Sequence, residues 1–377
     1  MKVLLVSDAG SIHTRRWAAS LSEAGVDTVL FSITPADDGF YREKNIKVYV
    51  FDLFSYKKKK NNDRKEKNIF APVISHAEAV RELKRVLEAE KPDILHAHYA
   101  TSYSLVAALS GFHPLIVSVW GSDVYEFPKL SPINKMAVTY VLGKADRVLS
   151  TSRAMAAETL HYCRKDIGIT PFGVDTEVFR KYPAVGKESG RVVFGTVKTL
   201  SEKYGIDRLI RAFALMRGRM PADGPETALV IAGKGPDRDR LEKLAAGLGV
   251  SSAVEFLGEV RHDDVPRIYS GTDAAVFLSR EESFGVSALE AMACEVPVIA
   301  SDADGFREIL EGGAGIIVPG NDVEAAADAM LRLALDPGLR ASLGKTGRKR
   351  VQECYEWKNN VAAMTEEYRK VSGMAHI

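Results

Sequence analysis

AAVFLSREESFGVSALEAMAC, residues 274–294, holds a strand, a loop and a helix in one line. Ala274–Leu278 is a short apolar run, as expected of a strand covered on both faces. Val286–Ala293 reads as a helix. Glu282 then falls in the connecting loop and Glu290 within the first turns of the helix. A helix start presents unpaired N–H groups and the positive end of its dipole. Gly285 allows close approach, so this loop suits a phosphate or a sugar hydroxyl. Taken alone, the carboxylates have plainer readings: Glu282 or Ser283 caps the helix, or both glutamates are solvated.

The same strand–loop–helix alternation runs outward in both directions and predicts an α/β chain with parallel sheets. Upstream, Val192–Val197 is a strand followed by Lys198 and Lys203 in one loop, then a helix from Ile206 to Met216. Two lysines so placed clamp a diphosphate, or they are surface charges. Ala228–Ala232 leads into Gly-Lys-Gly-Pro, a tight turn without the Walker spacing. After the strand Val254–Leu257, the loop Gly258–Arg261 offers the Val260 backbone to a base edge. Downstream, Val296–Ala300 and Ile316–Pro319 continue the pattern. The tail from about Asp336 to Val371 reads as helical, with Trp357, Val361, Met364 and Tyr368 spaced to pack on a core.

The N-terminal half begins with the apolar strand Val3–Val6, a turn Ser7–Ser11, a helix from about His13 to Ala24, and the strand Thr28–Ser32. Only Gly10 stands where a dinucleotide fingerprint needs three glycines, which disfavours a dehydrogenase. Gly10–Arg16 still lies at the carboxyl end of the first strand, where open α/β sheets bind ligands. Ser11, Arg15 and Arg16 are candidate acceptor contacts there; the arginines meet an anion or sit on a solvated helix face. Ile94–His98 is a strand whose histidines, His96 and His98, are read as alternating in orientation, one pointing inward. His98 is the functional candidate, with a hydrogen-bonded core histidine as the alternative. No third ligand stands nearby, so no metal is expected. Leu115–Val119 runs into Trp-Gly-Ser-Asp, and Asp123 joins Tyr99 as an acceptor-side candidate.

A length of 377 residues suits two domains. They are expected at 1–187, joined by a returning helix at 355–377, and at 188–354, with a linker at 182–190. Lys and Arg number 51 against 50 Asp and Glu, so charge gives no argument for a nucleic-acid partner. Cys163, Cys294 and Cys354 are widely spaced and read as reduced thiols. Without a leader or a membrane-length apolar run, the expectation is a cytoplasmic protein. The segment 51–68 combines Phe51, Phe54 and Tyr56 with a lysine run. It reads as a solvated loop, or as a peripheral contact with the inner face of a membrane or with a lipid-linked substrate.

Five motifs occur in order: HAHY at 96–99, PFGVD at 171–175, GTVK at 195–198 with Lys203, AGKGP at 232–236, and SREESFGVSALEAMACEVPVIAS at 279–301. Together they resemble glycosyltransferase family 4, retaining enzymes of the GT-B fold that use nucleotide sugars, and the likeness covers essentially the whole chain. The resemblance implies two Rossmann-like domains facing across a cleft, with the last helix crossing back to the first. It implies that Glu290 holds the ribose hydroxyls and that Glu282 faces the donor sugar beside the N–H groups of Phe284, Gly285 and Val286. Lys198 and Lys203 would neutralise the diphosphate, Gly10 would approach it from the first domain, and His98 would lie at the sugar. The implied reaction moves a sugar from a UDP- or GDP-sugar to a hydroxyl of a glycan or lipid-linked acceptor, in cell-surface polysaccharide or glycolipid synthesis, with no cofactor. A GT-B sugar-nucleotide epimerase and a non-catalytic nucleotide-sugar-binding protein are the alternatives. Three departures suggest a subgroup with its own substrate: Lys198 where many relatives have arginine, Phe172 where asparagine is common, and Glu295 where glycine is.

Overall fold

The computed structural model describes residues 1–53, 71–183 and 190–373. The core of the 51–68 segment, and most of the expected linker at 182–190, lie outside these residues. Two compact units emerge: residues 1–171 with 359–377, and residues 172–358.

The first unit contains β1 (Lys2–Val6), β2 (Asp27–Ser32), β3 (Lys47–Val50), β4 (Ile94–His98), β5 (Leu115–Val119), β6 (Arg147–Ser150) and β7 (Ile167–Ile169). Among the described residues they form one sheet in the order β3-β2-β1-β4-β5-β6-β7, every pair parallel. The central strands β4 and β5 are buried throughout, which is why their sequences are nearly continuous apolar runs. Helices cover both faces through Trp17, Leu83, Val106 and Val141. The strand order reverses between β1 and β4, so the carboxyl ends of these two strands flank the crevice where such sheets bind ligands.

The second unit contains β8 (Arg191–Val197), β9 (Glu226–Ala232), β10 (Val254–Gly258), β11 (Ala274–Phe277), β12 (Val298–Ser301) and β13 (Ile316–Val318). Their order is β10-β9-β8-β11-β12-β13, again all parallel. Here the reversal lies between β8 and β11. Phe194, Ile210, Phe213, Leu229, Val276 and Met330 form the centre of a separate core.

The tail is two helices, Pro337–Cys354 and Trp357–Val371, the second lying within the returning helix expected at 355–377. The break is stitched to residue 174: Val174 N–H donates to the Tyr355 carbonyl at 2.9 Å, and Trp357 N–H to the Val174 carbonyl at 3.0 Å. Trp357, Val361, Met364 and Tyr368 are all buried, as their spacing predicts. No helix among the described residues is long and apolar enough to cross a membrane.

Candidate functional site

In the second unit, Lys198 follows β8 and Glu282 lies in the loop after β11. These are neighbouring parallel strands, so the two side chains emerge on one edge of the sheet at its point of reversal. Lys198 Nζ donates to Glu282 Oε2 at 2.6 Å, with both side chains 11% exposed. The ammonium also sits 4.5 Å from the centre of the Tyr204 ring. Two loops 84 residues apart are thereby joined by an ion pair at the strand ends.

Glu282 is therefore not the cap of the following helix. The helix Val286–Ala293 has no side-chain cap and starts from Gly285 at φ 96°, in the left-handed region open to glycine. A glycine at the N-cap supplies no capping side chain, and a helix start of this kind suits an anion or a sugar oxygen. Phe284 turns its ring into the unit's interior, 6.0 Å from Phe172 and 5.9 Å from Tyr355. That contact accounts for the phenylalanine at 172. Glu295 occupies the left-handed region at φ 59°, where glycine would carry no steric cost.

Glu290 is buried, and its Oε1 lies 2.9 Å from His262 Nε2. The His262 ring packs 5.3 Å from Phe179. Sequence reading passed over His262, because nothing in a spacing of 28 residues links a turn after β10 to the middle of a helix. Val260, half-buried, stands in the same post-β10 loop. Lys203 takes a different partner from Lys198: Glu281 Oε2 at 3.8 Å, both side chains well exposed, a weak surface pair.

Close backbone approach holds this edge together. Gly233, after β9, has φ 140°, and a Cβ there would lie 1.9 Å from the Lys198 carbonyl oxygen. Gly233→Ala is expected to lower the unfolding free energy by about 2–4 kcal/mol, because neither backbone has room to move. A urea-melt midpoint within error of the wild type would contradict this packing.

In the first unit, His98 ends β4 and Ser7 follows β1. His98 Nδ1 is 3.1 Å from Ser7 Oγ, which is 2.7 Å from Thr14 Oγ1. The two histidines do not alternate. Positions 96 and 98 share a face of the strand, and their rings meet edge to face at 4.5 Å. His96 is held on both nitrogens, by Tyr368 Oη at 2.7 Å and Ser118 Oγ at 2.8 Å. His98 stacks on Trp120 at 4.4 Å. Burial lowers the His96 pKa to about 3 and pushes His98 well below its ordinary value, with the neighbouring His96 adding to the second shift. Both rings are thus neutral near pH 7, and His98 acts there as a neutral hydrogen-bonding group.

Asp123 is fully buried. It accepts from the N–H groups of Ala100 at 2.8 Å, Gly121 at 2.7 Å and Trp120 at 3.1 Å. Its carboxylate ties the loops after β4 and β5 together, and burial raises its pKa. Tyr99, at φ 71°, hydrogen-bonds Ser122 through its hydroxyl. Gly10 is exposed in a turn where its N–H donates to Asp8 Oδ1 at 2.9 Å. Asp8 also takes Thr34 Oγ1 at 2.8 Å, a contact with no sequence signal. Ser11 begins the first helix, and Arg15 bonds the Ala9 carbonyl at 3.4 Å while lying over Phe40. Arg16 is the next residue on that helix, half-buried.

Comparison with known proteins follows this division. The family described as "Glycosyl transferase 4-like" matches residues 2–152, and "Glycosyl transferases group 1" matches residues 179–350. A D-inositol 3-phosphate glycosyltransferase of Salinispora arenicola is 33% identical over 60% of this chain and 55% of its own length, so the chain spans about half of that relative. A GDP-mannose-dependent alpha-(1-6)-phosphatidylinositol monomannoside mannosyltransferase of Mycolicibacterium smegmatis is 29% identical over 69% of this chain and 71% of its own. The sucrose-phosphate synthase structure from Thermosynechococcus elongatus superposes with a TM-score of 0.80 at 21% identity, covering 100% of both chains, and so shares the fold.

Proposed function

We propose, from the premise that this chain belongs to the family-4-like glycosyltransferases of GT-B fold, that it transfers a sugar from a UDP- or GDP-sugar to a hydroxyl acceptor with retention at the anomeric carbon. The observation that carries this reading is the Lys198–Glu282 pair at the reversal of the second sheet, beside the helix that starts from Gly285.

In this reading Glu290, oriented by His262, receives the ribose hydroxyls, and the Val260 backbone reads the base. Lys198 and Lys203 take the diphosphate, and Glu282 with the N–H groups of Phe284, Gly285 and Val286 takes the sugar. The bond from the anomeric carbon to the phosphate oxygen breaks while the acceptor oxygen bonds to the same face of that carbon. The acceptor proton passes to the departing phosphate. Negative charge grows on the diphosphate as it leaves, and two ammonium groups and fixed N–H dipoles stabilise it; no metal or other cofactor is assigned. The first unit's edge, with Gly10, Ser11, Arg15, Arg16, Tyr99 and His98, is assigned to the acceptor and to the transferred sugar, and Asp123 to holding those loops in place.

The two relatives, named for an inositol phosphate and for a phosphatidylinositol mannoside, support a lipid-linked or phosphorylated polyol acceptor. They fit a cytoplasmic enzyme of glycolipid or polysaccharide synthesis that works at the inner face of a membrane.

A thermal-shift series against UDP, GDP, ADP and their sugars tests the donor. One nucleotide should stabilise the protein by about 2.7 kcal/mol at a hundredfold excess over its dissociation constant, and its sugar should be transferred with retained configuration by NMR. Stabilisation by none of them would refute the reading. Epimer formation without acceptor would make the protein an epimerase, and tight binding without transfer or hydrolysis would make it a binding protein.

A further inference from the structure

We propose that the outer face of the helix Pro132–Lys144 docks on an anionic lipid surface. The helix packs inward through Val138, Val141 and Leu142. On the opposite side Ile133, Met136 and Tyr140 are 76%, 71% and 41% exposed, and Leu130, just before the helix, is 75% exposed. At about 100° per residue the three helical positions fall within an arc of about 60°. Scattered exposed apolar residues are ordinary, but a continuous stripe of large ones marks an interaction surface.

Charge identifies the occupant. Residues 127–145 contain Lys129, Lys135 and Lys144, and the acidic residues Glu126 and Asp146 lie just outside the two ends. Lys144 lies 5.7 Å from the Tyr140 ring centre at one end of the stripe, and Lys135 is exposed beside Met136; Lys129, next to Leu130, lies 3.4 Å from Glu158 and is already paired. Aliphatic side chains with a tyrosine and flanking lysines sink to the headgroup level, the ammonium groups remaining at the phosphates. A second copy of the chain would, in a two-fold pairing, set the same lysines against one another. Anionic lipid does the reverse.

The helix also lies where docking would serve the reaction. It begins after the loop that leaves the carboxyl end of β5, the same edge of the sheet that carries Gly10 and His98. A surface held there keeps that edge next to a membrane-borne acceptor. This step rests on the proposed function for its purpose but not for its observation, and vesicle partition is measured without donor.

The experiment is flotation of the full chain with vesicles of phosphatidylcholine containing about 30% phosphatidylglycerol, against phosphatidylcholine alone. The protein should float with the anionic vesicles and leave them in about 0.5 M salt. Ile133→Glu with Met136→Glu should lower the partition by at least about tenfold, and Lys135→Glu by about fivefold. The melting temperature and transfer to a water-soluble acceptor should not change in either variant. Three results would overturn the proposal. The wild type does not float; the double variant floats as well as the wild type, which would place binding elsewhere, such as the lysine run 57–60; or light scattering finds a dimer that the double variant dissolves. Loss of the donor reading with flotation intact would refute the function alone.

Discussion

Glu282→Ala should lower kcat/KM for transfer by about a hundredfold, or about 2.7 kcal/mol of transition-state stabilisation, while the protein stays folded. Two effects combine. In the proposed reading the carboxylate that takes the sugar is removed, and Lys198 loses the partner that holds its ammonium at 2.6 Å from Oε2. The lysine keeps its place over Tyr204, 4.5 Å from the ring centre, so the ammonium is not abandoned. At 11% side-chain exposure the broken pair costs about 3 kcal/mol of stability, the low end for a buried pair because Tyr204 still faces the ammonium. Glu282→Gln separates the contributions: it keeps a hydrogen bond to Lys198 but removes the charge. Lys203→Ala should lower transfer by at least about tenfold with little change in stability, because its pair with Glu281 is exposed. Full turnover in both Glu282→Ala and Lys203→Ala would sink the site assignment.

The reach of the sequence differs between sheet and site for physical reasons. Strands buried on both faces are mostly apolar, so β1, β5 and β11 could be placed to within a residue or so from composition, and β4 despite its two histidines. β3 escaped, because an edge strand reading Lys-Val-Tyr-Val, with its ends exposed, carries little of that pattern. The returning helix was expected from residue 355, but the bonds that join the break at Tyr355 and Glu356 to Val174, far away in sequence, carried no signal. Lys198 and Glu282 were each legible as candidates, since both follow an apolar strand. Their direct contact was not, because it depends on β8 and β11 being neighbours. The same holds for His262 with Glu290, and for Ser7 with His98. Glu282 as a helix cap was a sound local inference that a tertiary partner displaced. Asp123 was legible as an acceptor-side candidate at a strand end, and only the backbone geometry shows its oxygens already taken up by N–H groups.

Acid should weaken the first unit well before any ordinary carboxylate titrates. His96 has a pKa of about 3 in the folded protein and His98 lies well below its ordinary value, whereas an unfolded histidine titrates near 6.5. Below about pH 6.5 the unfolded chain therefore binds protons that the folded one refuses, and stability falls as pH falls. The effect is absent above that value, where both states hold neutral rings, and it grows down to the folded pKa. Between pH 7 and pH 5 it amounts to about 2 kcal/mol for each histidine. Asp123 works in the opposite direction, since a raised folded pKa makes the native state the better proton acceptor, but it has one carboxyl to set against two rings. Glu90, at about 2, contributes to acid loss only below its unfolded value of 4.5. Urea unfolding followed in steps from pH 7.5 to 5 should thus show a falling free energy with a slope that approaches two protons. A flat profile would mean that the His96–His98 pair admits water or charge, and His98 would then be free to act as an acid. The predicted slope instead marks it as a neutral imidazole, held by Ser7 at Nδ1.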